Sequence, residues 1–195
     1  RPHELRDSQG QAHQTSAGAL LLFGGDEVYP VAERDLYRRR LVAPFETARQ
    51  YSQAPCPHVF AIPGNHDWYD GLVAFTRLFC SGRWFAGWKT RQERSYFALK
   101  LPRGWWVIAP DVQLASDIDE DQVDYFRRVA RHFEKDDRII LCNAEPHWIY
   151  AHIYGDSDSN ISENNLAYLE NKVLERKVSV FVAGDLHHYR RHEAA

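Results

Sequence analysis

The sequence contains no methionine, and its 195 residues include only three cysteines, Cys56, Cys80 and Cys142. These are odd in number, far apart and form no C-x-x-C pair, which argues against a disulfide framework or a thiolate zinc site and suits a reducing compartment. No run approaches the roughly 18 consecutive apolar residues of a membrane span, and the polar N-terminal stretch lacks the apolar segment of a signal peptide. Neither sign of charge dominates. The 24 Lys and Arg against 27 Asp and Glu leave a net charge of −3, so a general nucleic-acid or membrane-surface binder is not expected. There is no Walker P-loop, G-x-S-x-G elbow or H-E-x-x-H, and with them go nucleotide-triphosphate, serine-hydrolase and zincin mechanisms. Residues 156–160 begin like a calcium loop, but Ile161 stands where glycine is required and Ala167 where the bidentate glutamate belongs.

What is present describes one globular domain, 44% apolar and 26% charged. Residues 1–18 are polar and without apolar period, and read as a lead-in segment or loop before a domain spanning 19–195. Apolar runs at 19–23 and 138–142 predict buried strands, those at 57–62 and 178–183 predict further strands, and 96–101 with 105–109 predict a hairpin around Pro102, Arg103 and Gly104. Helices are expected at 34–41, ended or interrupted by Pro44, and after the Gly64 turn, where Leu72, Phe75, Leu78 and Phe79 keep helical spacing. Asp119 with Gln122 reads as a capping box before a stripe of Val123, Phe126, Val129 and Phe133. Ser162 reads as the cap of a helix carrying Leu166, Leu169 and Val173. Strands alternating with helices, with one hairpin between, predict an α/β fold of mixed sheets covered by helices.

The residues competent for metal chemistry sit just after the apolar runs. Gly25-Asp26 follows the first, Gly64-Asn65-His66-Asp67 the second, Glu145-Pro146-His147 a later one, and Gly184-Asp185-Leu186-His187-His188 the last. In open α/β sheets ligands gather beyond the carboxyl ends of strands, so these four loops are expected to converge. Carboxylates, an amide oxygen and imidazoles suit Mn, Fe or Zn.

In this order the motifs resemble those of the calcineurin-like metallophosphoesterase superfamily, with Gly-Asn-His-Asp as the specific element. The wording Gly-Gly-Asp-Glu-Val-Tyr-Pro and Gly-Asn-His-Asp-Trp-Tyr-Asp-Gly is similar to a bacterial subgroup often joined to upstream membrane helices. The resemblance covers roughly residues 19–190 and implies the family's α/β/β/α sandwich. The family's first motif, Asp-x-His, has no counterpart here. A chain that opens on Arg1 and stops soon after His188 is therefore expected to be a fragment, with that strand and its loop upstream.

The resemblance further implies two divalent metal ions, Asp26 bridging them, Asn65 binding the second through its amide oxygen and His187 binding the first. His147 would be the second ion's imidazole ligand, with Glu145, two residues away, as the alternative. Asp185 stands where the family has His; a carboxylate there shifts preference toward Mn or Mg. His66 would be the general acid, held by Asp67, and His188 would contact substrate. The implied activity is hydrolysis of a phosphomonoester or phosphodiester by a metal-bridging hydroxide, on a small phosphate ester or a lipid headgroup. Specificity would lie in loops 29–33, 84–94 and 154–160. The domain itself would be cytoplasmic, and tethered to a membrane where upstream helices are present. The alternative is a degenerate module of the same fold that binds or scaffolds without catalysis, favoured by the missing motif and by Asp185, and opposed by the intact His66-Asp67 pair.

Overall fold

Strands form at nearly the expected positions in the computed structural model, which describes residues 4–16, 18–48, 56–112, 114, 117–149, 164–175, 177–185 and 187. The stretch read as a lead-in instead holds a small antiparallel hairpin, Glu4–Arg6 (β1) with Ala12–Gln14 (β2), exposed at every strand position. Its organiser is Asp7. One carboxylate oxygen accepts the N–H groups of Gln9 and Gln11, each at 2.9 Å, and the other lies 2.9 Å from His13 Nε2. Such local side-chain capping leaves no mark in apolar periodicity.

Two four-stranded mixed sheets carry the rest. The first contains Leu20–Phe23 (β3), His58–Ala61 (β4), Trp84–Phe85 (β5) and Trp88–Thr90 (β6), in the order β3-β4-β6-β5. The second contains Phe97–Leu101 (β7), Trp105–Ala109 (β8), Arg138–Cys142 (β9) and Val178–Val182 (β10), in the order β10-β9-β8-β7. Pairs β5–β6 and β7–β8 are antiparallel, and the other pairs are parallel. The expected hairpin is β7–β8; its turn puts Arg103 at φ 64° and Gly104 at φ 71°.

Alternation along the strands sorts side chains into three apolar layers. Phe60 and Ile62 meet Phe97, Val107, Ala109 and Cys142 between the sheets. On the far side of the first sheet, Val59 and Ala61 pack against Tyr37, Leu41, Phe75 and Phe79. On the far side of the second, Ile108, Ile139 and Leu141 pack against Val123 and Phe126 of helix Glu120–Ala130 and against Leu166 and Leu169. Burying each such side chain is worth about 1.5–3 kcal/mol, which makes this layering the main support of the fold.

The helices differ in detail from the sequence expectation. Pro44 does not end its helix: Arg34–Leu36 (α1) widens into a π-turn at Tyr37–Val42 and continues as Ala43–Ala48 (α2). Proline has no N–H to give back along the helix, and the widened turn precedes it, with the Ala43 N–H reaching Arg38 five residues back. After Gly64 there are two short helices, Asn65–Trp68 (α3) and Val73–Phe79 (α4). Between them Gly71 and Leu72 take positive φ, and Asp70 accepts the Val73 and Ala74 N–H groups at 3.0 Å. Asp119 caps Glu120–Ala130 (α5) as expected, but the capping box does not form. Gln122 instead turns inward and bonds the backbone N–H and C=O of Asp111, both at 2.8 Å. The helix after β9 is capped by Asn164, whose side chain accepts the Ala167 N–H at 2.9 Å, and runs from Asn165–Tyr168 (α6) into a π-turn at Leu169–Val173. Ser162, read as the cap, lies outside the described residues.

Candidate functional site

Because β3 and β4 run parallel, and β8, β9 and β10 likewise, each set opens its loops at one edge. The loops are stitched together by backbone hydrogen bonds. Gly184 and Asp185 donate to the Ala144 carbonyl at 3.2 and 3.1 Å, and Ile62 donates to Phe23 at 3.2 Å. Glycines permit the closest approaches. A side chain at Gly25, which sits at φ 110°, would come within 2.9 Å of Ala144 Cβ, and one at Gly64 within 2.2 Å of Asp26 Oδ1. A side chain at Gly184 would meet the Gly24 carbonyl at 3.4 Å. The four motif loops therefore converge, as their positions after strands lead one to expect.

Asp26, itself at φ 54°, lies at the centre of this meeting point. Its Oδ1 accepts the backbone N–H of His66 at 3.0 Å, and its Oδ2 accepts the Tyr29 hydroxyl at 2.7 Å. The same hydroxyl is 2.7 Å from His187 Nε2, so one phenol oxygen joins the two residues expected to share the first ion. His187 is exposed and at φ 53°. Burial and the Asp26 carboxylate both hold the Tyr29 phenol above its ordinary pKa. The Tyr29 ring also lies against His66, centroids 4.4 Å apart.

His66 is held differently from the sequence expectation. Its Nδ1 lies 2.7 Å from the Pro30 carbonyl oxygen, whereas the Asp67 carboxylate is committed elsewhere. Asp67, fully buried, accepts the Gly64 N–H at 2.9 Å, the Glu27 N–H at 3.3 Å and the Tyr37 hydroxyl in a short hydrogen bond. Asp67 thus braces the loop that carries His66 without touching its ring. Beside it, burial and then the Asp67 charge push the Glu27 carboxyl well above the carboxylate range.

The second half of the site is a small cleft whose polar lining is Asn65, Glu145 and Asp185. Asn65 Nδ2 donates to Tyr69 Oη at 3.2 Å, while its buried Oδ1 has no hydrogen-bond partner among the described residues. Burial and the nearby Asp185 charge raise the Glu145 carboxyl above its usual range. His147 faces a different set of partners. Its Nδ1 lies 3.0 Å from Asn143 Nδ2, and its Nε2 is in close contact with Glu170 Oε1. Since the Asn143 amide can only donate at Nδ2, His147 Nδ1 accepts, while Nε2 lies against Glu170 Oε1 without a hydrogen bond among the described residues. Of the two candidates, Glu145 lines the cleft and His147 does not.

His188 and loop 154–160 lie outside the described residues. Glu27, Tyr29 and Pro30 fall within the Gly-Gly-Asp-Glu-Val-Tyr-Pro wording but carry no expected role there, and Tyr37, Asn143 and Glu170 lie outside every motif. Tyr29 falls in loop 29–33, where specificity was expected, but nothing in its spacing points to Asp26 or His187. No family model, curated protein or solved structure matches the chain. No helix among the described residues is long and apolar enough to cross a membrane.

Among the described residues no group of three or more His, Cys, Asp or Glu side chains stands ready to hold a metal ion. The donor chemistry nonetheless fits divalent ions. A buried amide oxygen without a partner shares a cleft with two carboxylates, and a carboxylate and an imidazole are spanned by a single hydroxyl.

Proposed function

We propose that this chain is a metal-dependent phosphoesterase domain of calcineurin-like α/β/β/α architecture, acting on a phosphomonoester or phosphodiester. The observation that carries the proposal is the convergence of Asp26, the Asn65-His66-Asp67 loop, Glu145, Asp185 and His187 from four strand ends on one edge. Three apolar layers, with helices outside two facing sheets, support the same architecture.

In this reading Asp26 would help to hold both of two divalent ions, Mn, Fe or Zn with Mg also suited. His187 serves the first, and Asn65 Oδ1 with Glu145 and Asp185 serves the second. Divalent ions held there supply Lewis acidity toward phosphoryl oxygens and lower the pKa of water. His66 supplies the proton to the leaving oxygen. The Pro30 carbonyl accepts from Nδ1–H, which leaves Nε2 as the nitrogen for that transfer. Asp67, Tyr37 and Glu27 fix the loop beneath it.

The test is metal content per chain after purification with Mn, for the wild type, Asn65→Ala and His187→Ala, followed by hydrolysis of p-nitrophenyl phosphate and its bis ester. About two ions per chain, reduced in both variants, with turnover in the wild type supports the reading. No ion and no turnover refutes it. One observation favours a non-catalytic module of the same architecture. Both Asp26 oxygens already have protein partners, and such a module would fold fully and bind no metal.

A further inference from the structure

We propose that the Tyr29 hydroxyl occupies the place of the first cation and gates it, so that ion binding requires its displacement. This rests on the phosphoesterase reading above and concerns how the first of its two ion positions is filled. Tyr29 Oη lies 2.7 Å from Asp26 Oδ2 and 2.7 Å from His187 Nε2. Those are atoms through which the two residues would reach an ion.

A phenol has one proton to give. Ionised Asp26 can only accept, so that proton goes to Oδ2, and the phenol oxygen then accepts the Nε2–H of His187. In that tautomer Nε2 has no lone pair for a metal. The two ligands are therefore presented as a hydrogen-bonded pair closed by a hydroxyl.

Metal–ligand bonds to carboxylate oxygen and imidazole nitrogen are about 2.0–2.2 Å, shorter than the 2.7 Å that the hydroxyl keeps to each atom. To bind at the pair, an ion must break both hydrogen bonds, move the phenol aside and release the proton from His187 Nε2. Tyr29 thus competes with an ion for both ligand atoms. Its ring rests on His66, and the next residue, Pro30, holds His66 Nδ1. Filling the first position accordingly disturbs the segment that orients the general acid.

The experiment is Mn binding to the whole chain, followed by isothermal titration and by electron paramagnetic resonance of free Mn. The proteins are the wild type, Tyr29→Phe, Tyr29→Leu and Asp26→Ala. Removing the hydroxyl spares the ion the loss of two hydrogen bonds, so both Tyr29 variants are expected to bind the tighter-changing ion at least about tenfold more strongly than wild type. The other ion, served by Asn65 and Glu145, moves less, and Asp26→Ala weakens both. Tyr29→Leu keeps the question answerable where Tyr29→Phe does not fold. Unchanged affinity in the hydroxyl-free variants, with the wild type still binding two ions, overturns the gate and leaves the phosphoesterase reading intact. Weaker binding overturns it too, because the hydroxyl is then a ligand. No Mn bound by any of the proteins overturns both.

Discussion

His66 Nδ1 lies 2.7 Å from the carbonyl oxygen of Pro30, 36 residues earlier in the chain. A carbonyl only accepts, so the ring is fixed with Nδ1 protonated and Nε2 available. In the phosphoesterase reading this is the state in which a protonated ring can serve the leaving oxygen. His66→Ala is expected to keep the wild-type Mn content and to lose about 10²–10⁴-fold in turnover. Steady-state hydrolysis beside metal analysis checks it. Unchanged turnover would remove His66 from the mechanism.

Gly64 is required by proximity alone. A Cβ there would stand 2.2 Å from Asp26 Oδ1 and 2.5 Å from the Asp26 nitrogen, closer than non-bonded atoms approach. Gly64→Ala must therefore push the Asp26 loop and α3 apart and break the His66 N–H bond to Asp26. The expected result is a folded protein of lowered melting temperature, by about 1–3 kcal/mol of overpacking strain, with its Mn affinity lost. Wild-type Mn affinity in Gly64→Ala would show that the approach of these loops is immaterial to the site.

Tyr37 and Asp67 form a buried pair that braces the same loop from below, Tyr37 being 2% exposed and Asp67 fully buried. Removing the hydroxyl leaves one Asp67 oxygen short of a donor in a fully buried place. Tyr37→Phe should cost about 1–3 kcal/mol in denaturant unfolding. Mn content should stay nearly unchanged, since no expected ligand is touched. A variant as stable as wild type would mean that the bond contributes nothing net.

Much of this arrangement could be read from the sequence, because short apolar runs followed by Gly-rich polar loops mark both the strands and the edge where they open. Strands β3, β4, β7, β8, β9 and β10 and the cap at Asp119 fall within a residue or so of expectation. Periodicity could not show what long-range polar contacts decide. Gln122 fits the spacing of a capping box equally well whether it folds back on its own helix or bonds the Asp111 backbone. Gln92 likewise bonds both the N–H and the C=O of Ala61, at 2.7 and 2.8 Å, continuing the edge of β4 where β6 has ended. Tyr29 and Tyr37 act on Asp26, His187 and Asp67 only once α1 and the β10 loop are in place. The short helices break because Gly71 and Leu72 turn through positive φ, which the apolar spacing across them hides.

The sequence favours His147 over Glu145, two residues away, as the second ion's ligand, and their surroundings point the other way. Glu145 faces the cleft shared by Asn65 and Asp185, whereas both ring nitrogens of His147 are engaged by Asn143 and Glu170. Glu145→Gln is expected to lower Mn affinity about tenfold or more while leaving the melting temperature near wild type. His147→Gln should do the reverse, lowering stability by about 1–3 kcal/mol through the orphaned Glu170 carboxylate. Calorimetric titration and thermal melts on the two variants separate the roles, and Mn loss confined to His147→Gln would reverse the assignment.

Asp137 offers a pH test remote from the site. It accepts the Glu134 N–H and the Trp106 Nε1–H, each at 2.8 Å, and these bonds hold its carboxyl below the ordinary range. A carboxyl whose folded pKa is depressed contributes stability above its unfolded pKa of about 3.9, and loses it as pH falls through the lower folded value. Asp137→Asn lacks this titration. The variant should melt below wild type at neutral pH, and the difference should shrink steadily once the pH drops under about 4. Melting temperatures from pH 7 down to 2 give the comparison. A difference that stays constant across that range would mean that Asp137 supports Trp106 through shape alone and that its charge adds nothing.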